Sequence, residues 1–287
     1  MTDIQPSTGN PLKKYFRQPK IYLKLPSGGK YWPEGTLETT DSGEFPVFAM
    51  TAKDELMIKT PDALLNGEST VNVIQSCIPN IKNAWHCPSI DLDAILIAIR
   101  IATYGEKLDV NSVTPITKEE KSYSLDLVGI LSQFMAVDFE DSINIGDITV
   151  KIRPLTYKEF TETSNKTFEE QRIFYAINNE KISDEDKVKI FKESFNKLTD
   201  LTVGTLKNSI VSVTMGDERV TNKDYINEFI DNSEKGLFRT LIEHIESQRE
   251  KFKIQPMLVD ATEEEIAQGV PATYEVPIVL DPSNFFA

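Results

Sequence analysis

Residues 89–105 read Ser89-Ile90-Asp91-Leu92-Asp93-Ala94-Ile95-Leu96-Ile97-Ala98-Ile99-Arg100-Ile101-Ala102-Thr103-Tyr104-Gly105. Placed on a helix, Leu92, Ile95, Leu96, Ile99 and Ala102 cover more than one face. A helix that is apolar on several sides is one buried in a core, not one lying on its surface. Ser89 is a candidate cap and Gly105 a stop. Asp91 and Asp93 flank the helix start, where acids complement the free N–H groups and the helix dipole. That accounts for them without metal or catalysis. The longest apolar run of the chain, Ala94 to Thr103, lies here and is interrupted by Arg100. It falls short of the roughly 20 residues needed to span a bilayer.

Upstream of this helix the pattern changes period. Ile21-Tyr22-Leu23-Lys24-Leu25 alternates as a half-buried strand, and Pro26-Ser27-Gly28-Gly29 is turn chemistry. Tyr31-Trp32 follows, then a polar loop, then Phe45 to Met50, so a small antiparallel β unit is expected. Thr51-Ala52-Lys53-Asp54 resembles a capping box. Thr60-Pro61 places Pro at a first helical position, and Ala63-Leu64-Leu65 runs to a stop at Gly67. Val71, Ile74 and Ile78 mark a further helix face. Residues 1–20 lack a periodic apolar face and carry Lys13, Lys14, Arg17 and Lys20 against Asp3. They read as a flexible basic arm, either a solvated tail or a segment that orders on an acidic partner.

Downstream the same grammar returns. Ile148-Thr149-Val150-Lys151-Ile152 alternates as a strand, and Thr156-Tyr157-Lys158-Glu159 is a full capping box. Ser183-Asp184-Glu185-Asp186 and Thr221-Asn222-Lys223-Asp224 are box-like starts. Ile190, Phe191, Phe195 and Leu198 make one helical face, Tyr225, Phe229 and Ile230 another, and Leu237, Leu241, Ile242 and Ile245 a third. Tyr274 to Leu280 is extended, and Pro277 demotes it to an edge strand.

The halves also match each other. Met50-Thr51-Ala52-Lys53-Asp54 aligns with Leu155-Thr156-Tyr157-Lys158-Glu159 at an offset of 156 − 51 = 105. Tyr123 to Val128 aligns with Tyr274 to Val279, and Ser132-Gln133-Phe134-Met135 with Ser283-Asn284-Phe285-Phe286, at 274 − 123 = 151. One duplication accommodates both offsets if the second copy holds 151 − 105 = 46 extra residues in its helical part; convergence on common punctuation is the alternative. The expected fold is therefore α+β, with two related units, each a small antiparallel β element plus a helical bundle. The arm spans 1–20, the first unit 21–136 and the second, enlarged and acidic unit 137–287.

The chain has 287 residues and a net charge of -14, and its 31 Lys and Arg against 45 Asp and Glu disfavour nucleic acid or an anionic membrane as partner. Residues 1–136 hold 13 Lys and Arg against 16 Asp and Glu; residues 137–287 hold 18 against 29. The acidity is mainly the second unit's. Two Cys without a framework of pairs suit a reducing compartment, and the N-terminal stretch lacks an apolar signal core. With 2 His, the chain is thin in the commonest acid–base group.

No constellation of catalytic or metal-binding residues assembles from spacing. Cys77, His86 and Cys87 form the one soft-ligand cluster, but only three residues lie there and two are adjacent, which suits neither a closed zinc shell nor a nucleophile pair. Pro26-Ser27-Gly28-Gly29-Lys30 lacks phosphate-loop spacing and leads to Tyr31-Trp32, not to a helix. Glu263-Glu264-Glu265 reads as a solvated helix start after Thr262, with a docking surface for a basic partner as the sharper alternative. Phe285-Phe286 would be costly to leave in water, so they pack into their own unit or a neighbour.

Leu25-Pro26-Ser27-Gly28-Gly29-Lys30-Tyr31-Trp32, then Met50-Thr51-Ala52-Lys53-Asp54-Glu55, then Pro61-Asp62-Ala63-Leu64-Leu65-Asn66-Gly67, then Ser89 to Arg100 with Tyr104-Gly105, resemble in order the motifs of one family. It is the baseplate hub assembly proteins of T-even-type contractile-tailed bacteriophages. The resemblance covers about residues 21–135 and is thinner over 137–287, apart from Asp281-Pro282-Ser283-Asn284-Phe285-Phe286. Some relatives carry Cys pairs before the closing strand, like a small metal ribbon. This chain has none between Leu108 and Tyr123 or between Lys253 and Tyr274, so no metal site carries over. The resemblance implies a late morphogenesis protein acting in the host cytoplasm on baseplate hub proteins, or a hub or spike-associated subunit kept in the virion. It implies no catalytic residue and no cofactor. Self-association is a further option, and a tail-tip cell-wall hydrolase is the alternative of another class. The residues expected to meet a partner are Lys13, Lys14, Arg17, Tyr31, Trp32, Phe285 and Phe286.

Overall fold

The computed structural model describes residues 10–59, 67–177, 183–278 and 285–286. The expected helix start at Thr60-Pro61 and the run Ala63-Leu64-Leu65 lie outside these residues. A 3-10 turn at Pro11–Tyr15 leads into the antiparallel pair β1 (Pro19–Lys24) and β2 (Glu44–Phe48). Then come α1 (Ala52–Ile58), α2 (Glu68–Cys77) and α3 (Ser89–Tyr104). The hairpin β3 (Lys107–Val113) and β4 (Glu120–Asp126) runs directly into α4 (Leu127–Met135). The second half opens on β5 (Ser142–Ile145) and β6 (Ile148–Ile152), followed by the long helices α5 (Tyr157–Ile177) and α6 (Asp184–Ser209). Strands β7 (Ile210–Met215) and β8 (Glu218–Val220) complete a four-stranded antiparallel sheet in the order β5-β6-β7-β8. Helices α7 (Lys223–Asp231) and α8 (Lys235–Lys251) follow, and β9 (Met257–Asp260), α9 (Glu263–Ala267) and β10 (Thr273–Val276) close the described chain. The architecture is mixed α+β, with several small antiparallel sheets and helices.

Helix α3 is enclosed on all sides: Ile95, Ile97, Ala98 and Ile99 are each 0% exposed. At roughly 1.5–3 kcal/mol for each fully buried aliphatic side chain, this helix is the largest single contributor to the first core. Its cap differs from expectation. Pro88 holds the N-cap position without a side-chain bond, and Ser89 N–H donates to Leu155 O at 2.8 Å. The helix start is thus satisfied by the second half of the chain, not by Ser89's hydroxyl. Gly105, at φ 96°, ends the helix as expected.

Both capping boxes form. Thr51 N–H donates to the Asp54 carboxylate at 2.8 Å and Asp54 N–H to Thr51 Oγ1 at 3.2 Å. Thr156 and Glu159 make the same exchange at 2.8 and 3.2 Å. Other expectations shift. Strand β1 starts at Pro19, two residues before Ile21. Gly67 stands at the start of α2 with φ 77°, where an added Cβ would meet the Tyr157 hydroxyl at 3.0 Å. Helix α7 is capped by Asn222, whose side chain accepts from Asp224 N–H and Tyr225 N–H, in place of Thr221. It buries Ile226 and Ile230 while Tyr225 is exposed. The extra chain of the second half is not helical throughout, because β7 and β8 lie in it.

Two main cores result. The first gathers α2, α3, α4 and the β1–β2 and β3–β4 hairpins. It also takes in Tyr157, Phe252, Phe285 and Phe286 from the second half. The second lies between the four-stranded sheet and α6, α7 and α8, around Val150, Ile210, Ile226 and Leu241. Phe139 packs against both.

Candidate functional site

The residues expected at a partner surface fall into different environments. Lys13 and Lys14 are exposed, beside exposed Leu12, Tyr15 and Phe16. Arg17 is half-buried and engaged. Its guanidinium donates to Ala49 O and Ser76 O at 2.5 Å each and to Ser76 Oγ at 2.9 Å. It also stands 3.6 Å from the buried Asp54 carboxylate. It therefore clips the N-terminal segment to the start of α1 and the end of α2. Arg17→Ala should cost about 2 kcal/mol by removing charge-assisted bonds. Lys13→Ala and Lys14→Ala should leave stability unchanged. Thermal melts of the three variants compare them directly.

Tyr31 and Trp32 are half-buried. Tyr31 donates to Asp141 at 3.4 Å and meets Phe139 edge-on at 5.6 Å, which spans the two halves. Its φ of 67° is a strained value for a bulky residue, held by those contacts. Phe285 and Phe286 are 3% and 1% exposed, in edge contact at 4.9 Å. Their apolar surface is taken up within the chain's own core.

Trp32 leads to a site that spacing did not reveal. Asp91 is fully buried, and its carboxylate accepts from Ser27 N–H at 2.7 Å, Ser27 O–H at 2.5 Å and Trp32 Nε1–H at 2.8 Å. The Pro26-Ser27-Gly28-Gly29 turn is thus tied to the first turn of α3. Burial outweighs these hydrogen bonds and raises the Asp91 carboxyl to about 6. Burial likewise raises Asp93 to about 6. Both values exceed the ordinary Asp value, so the folded chain binds these protons more tightly than the unfolded chain. Their contribution to stability therefore grows as pH falls from about 6 to about 4. Glu265 acts oppositely: Lys121 donates to it at 2.7 Å and holds it at about 2. Its contribution is complete above the ordinary Glu value and is lost as pH falls towards 2. The melting temperature should therefore peak near pH 5, and Asp93→Asn should flatten the rise between pH 7 and pH 5. Calorimetry across pH 4–8 checks this; a wild-type melting temperature that falls steadily from pH 7 to 5 contradicts it.

Glu265 is buried in a capping box with Thr262, not solvated as a helix start would be. Next to it, the Tyr123 and Tyr274 hydroxyls lie 2.7 Å apart. Burial comes first among the causes that raise Tyr123 to about 12.

The α5–α6 pair has two unlike sides. One is a polar groove of about 410 Å³ lined by Glu159, Glu162, Lys166, Glu169, Lys197 and Asp200. Between the helices Lys197 donates to the buried Glu170 at 2.9 Å. The other side is apolar. Cavities of about 270, 320 and 260 Å³ meet there at Thr205 and Arg249, with Phe160, Phe168, Leu198, Ile242 and Ile245 on their walls. Helix α8 covers this side near the sheet. Farther out, Phe168, Phe195 and Val188 are 63%, 58% and 68% exposed. Sequence periodicity placed Phe191, Phe195 and Leu198 on one helical face but could not show that this face points away from the cores.

Cys77 and Cys87 are free and buried, and burial raises the Cys77 thiol to about 12, far from a reactive thiolate. Among the described residues no group of three His, Cys, Asp or Glu side chains is placed to hold a metal ion. Nor is any described helix long and apolar enough to cross a membrane. The chemistry the arrangement supports is association through apolar and aromatic surface. A family model described as T4 bacteriophage base plate protein matches residues 18–263. The chain belongs to that family. The base plate family match takes in both halves, including the α5–α6 pair, whereas the resemblance read from motifs was concentrated in the first half. No curated protein and no solved structure matches the chain.

Proposed function

We propose that this base plate family protein is a baseplate hub assembly factor, acting in the host cytoplasm through protein–protein contacts during tail morphogenesis. The observation that carries the reading is that, among the described residues, Phe168, Val188 and Phe195 of the α5–α6 pair are exposed, in a chain of this family. Large apolar side chains left exposed together on one helix pair mark interaction sites. An assembly factor binds hub subunits and leaves before the particle is complete. Mass spectrometry of purified virions tests this: the chain should be absent or far below hub stoichiometry. Stoichiometric presence would replace the reading with the second one, a hub or spike-associated subunit kept in the particle. The proposal assigns no catalytic step. Clearing of peptidoglycan by the purified chain, lost on a single carboxylate substitution, would overturn that part.

The division into a unit at 21–136 and a unit at 137–287, related by duplication, belongs to the same proposal. Each half opens on a strand pair, a boxed helix and a further helix and has a strand pair near its end, although β7–β8 has no counterpart in the first half and α9 separates β9 from β10. Tyr123 and Tyr274, aligned by the 151-residue offset, meet each other through their hydroxyls. Phe134 and Phe285, aligned by the same offset, are both 3% exposed.

A further inference from the structure

The polar side of the α5–α6 pair carries a groove of about 410 Å³, whose walls hold five carboxylates against Lys166 and Lys197. Two of the five are answered within the chain. Arg153 clamps Glu159 at 2.6 and 2.8 Å, and Lys197 donates to one oxygen of Glu170 at 2.9 Å. Glu162, with Lys158 4.0 Å away, Glu169 and Asp200 are exposed. The other oxygen of Glu170, a residue 8% exposed, is buried with no hydrogen-bond partner. A buried carboxylate oxygen left unpaired is costly, so it marks a place for a donor from elsewhere. Gly204 lines the same groove from inside α6, where glycine weakens a helix relative to alanine. Nothing stands within 4 Å of the position a Cβ would take there. No close approach within the chain accounts for this glycine, and the space beside it is open. Among the described residues no three acids are placed to hold a metal ion, so the group that fits this groove is an organic cation with some apolar body.

The chain itself carries such a group. No acidic residue stands between Asp3 and Glu34, so in a protein of net charge -14 the arm is an unopposed cation. Lys13 and Lys14 are exposed on the 3-10 turn Pro11–Tyr15. Tyr15 beside them is 74% exposed, with the Lys14 ammonium 4.9 Å from its ring centre. Arg17 holds this segment at α1 and α2, and among the described residues no hydrogen bond or ion pair joins either lysine to the groove of its own chain. The match is thus one between copies. We propose that the α5–α6 groove receives the basic arm of a second copy of this chain. Lys13 and Lys14 meet Glu162, Glu169, Asp200 and the unpaired oxygen of Glu170, and Tyr15 lies over Gly204. The contact is heterologous, one surface set against a different one. Its energy comes from several partly solvated charge pairs and one aromatic ring, so it weakens with salt.

This inference does not rest on the assembly reading, whose exposed Phe168, Val188 and Phe195 lie on the other side of the helix pair. Light scattering of the full chain at about 100 µM in about 0.05 M salt, where the Debye length exceeds about 10 Å, tests it. The expected result is a mass above the 32.4 kDa of the single chain, falling towards that value in about 0.5 M salt. Lys13→Glu with Lys14→Glu, and separately Glu162→Lys with Glu169→Lys, should each give monomers. An equimolar mixture of these two variants should associate again, because each reversed arm then finds a reversed groove and each native arm a native groove. Should Glu162→Lys with Glu169→Lys fail to fold, Asp200→Lys on the facing helix takes its place. Gly204→Leu fills the open space, and should keep or raise the melting temperature while weakening association at least tenfold. A monomeric wild type at low salt, a mixture that stays monomeric, or Gly204→Leu chains that associate like wild type overturns the proposal. If a monomeric wild type captures a purified hub subunit and Lys13→Glu with Lys14→Glu does not, the arm serves the hub, and the assembly reading stands without this pairing. Self-association without hub capture leaves the pairing standing and removes the assembly reading.

Discussion

Asp91→Ala should lower stability by about 3–5 kcal/mol and the melting temperature by roughly 10 °C. The carboxylate accepts three donors, and bonds to charged groups are worth about 1.5–3 kcal/mol each. Removing it strands Ser27 N–H and O–H, which are buried, and leaves Trp32 Nε1–H to find water at a half-exposed position. The Ser27 donors therefore carry most of the loss. Part of it is returned, because burying an ionised carboxylate at neutral pH is itself costly, as its upward shift to about 6 shows. Asp91→Asn keeps an acceptor for Ser27 and should lose less than half as much. Chemical denaturation of both variants gives the comparison. Equal stability of Asp91→Ala and wild type would remove the proposed role of this carboxylate in fixing the turn.

Phe286→Ala should cost about 3–5 kcal/mol, the usual range for truncating an enclosed Phe. The ring is 1% exposed and packs edge-on against Phe285. Its backbone is held as well, since Tyr104 O–H at the end of α3 donates to Phe286 O at 3.1 Å. The loss should appear in the first core, far from Phe286 in sequence, as faster hydrogen exchange in α3. Phe195→Ala, at an exposed position, should change the stability of the isolated chain by less than about 0.5 kcal/mol. Unchanged exchange in α3 on Phe286→Ala would show that these aromatics do not brace the first core.

Local signals in the sequence were legible because they act within a few residues. The enclosed helix at 89–104 follows from its own periodicity, and both threonine boxes from a spacing of three. Asp91 shows where such reading stops. Its place in the first turn has a sufficient local explanation in the helix dipole. Its partners Ser27 and Trp32 stand 64 and 59 residues away, so nothing nearby in sequence signals them. Arg17 is similar: its flanks look like a solvated tail, and its partners lie near residues 49, 54 and 76. Phe285 and Phe286 were legible as buried but not as members of the first core. The apolar face of α6 was illegible for another reason. Periodicity shows that a helix has an apolar face, but not what covers it, because coverage is a property of the tertiary arrangement.

The proposed function places docking on baseplate hub components at the exposed apolar side chains of α5–α6. The most direct measurement is co-purification of tagged wild type and Phe195→Glu from infected cells during tail assembly, with the hub subunits quantified by mass spectrometry. Docking at this surface should give hub subunits at near-stoichiometric levels with wild type and at least a tenfold loss with Phe195→Glu at equal expression. Equal recovery by the two proteins, or no hub subunit with either, would contradict it.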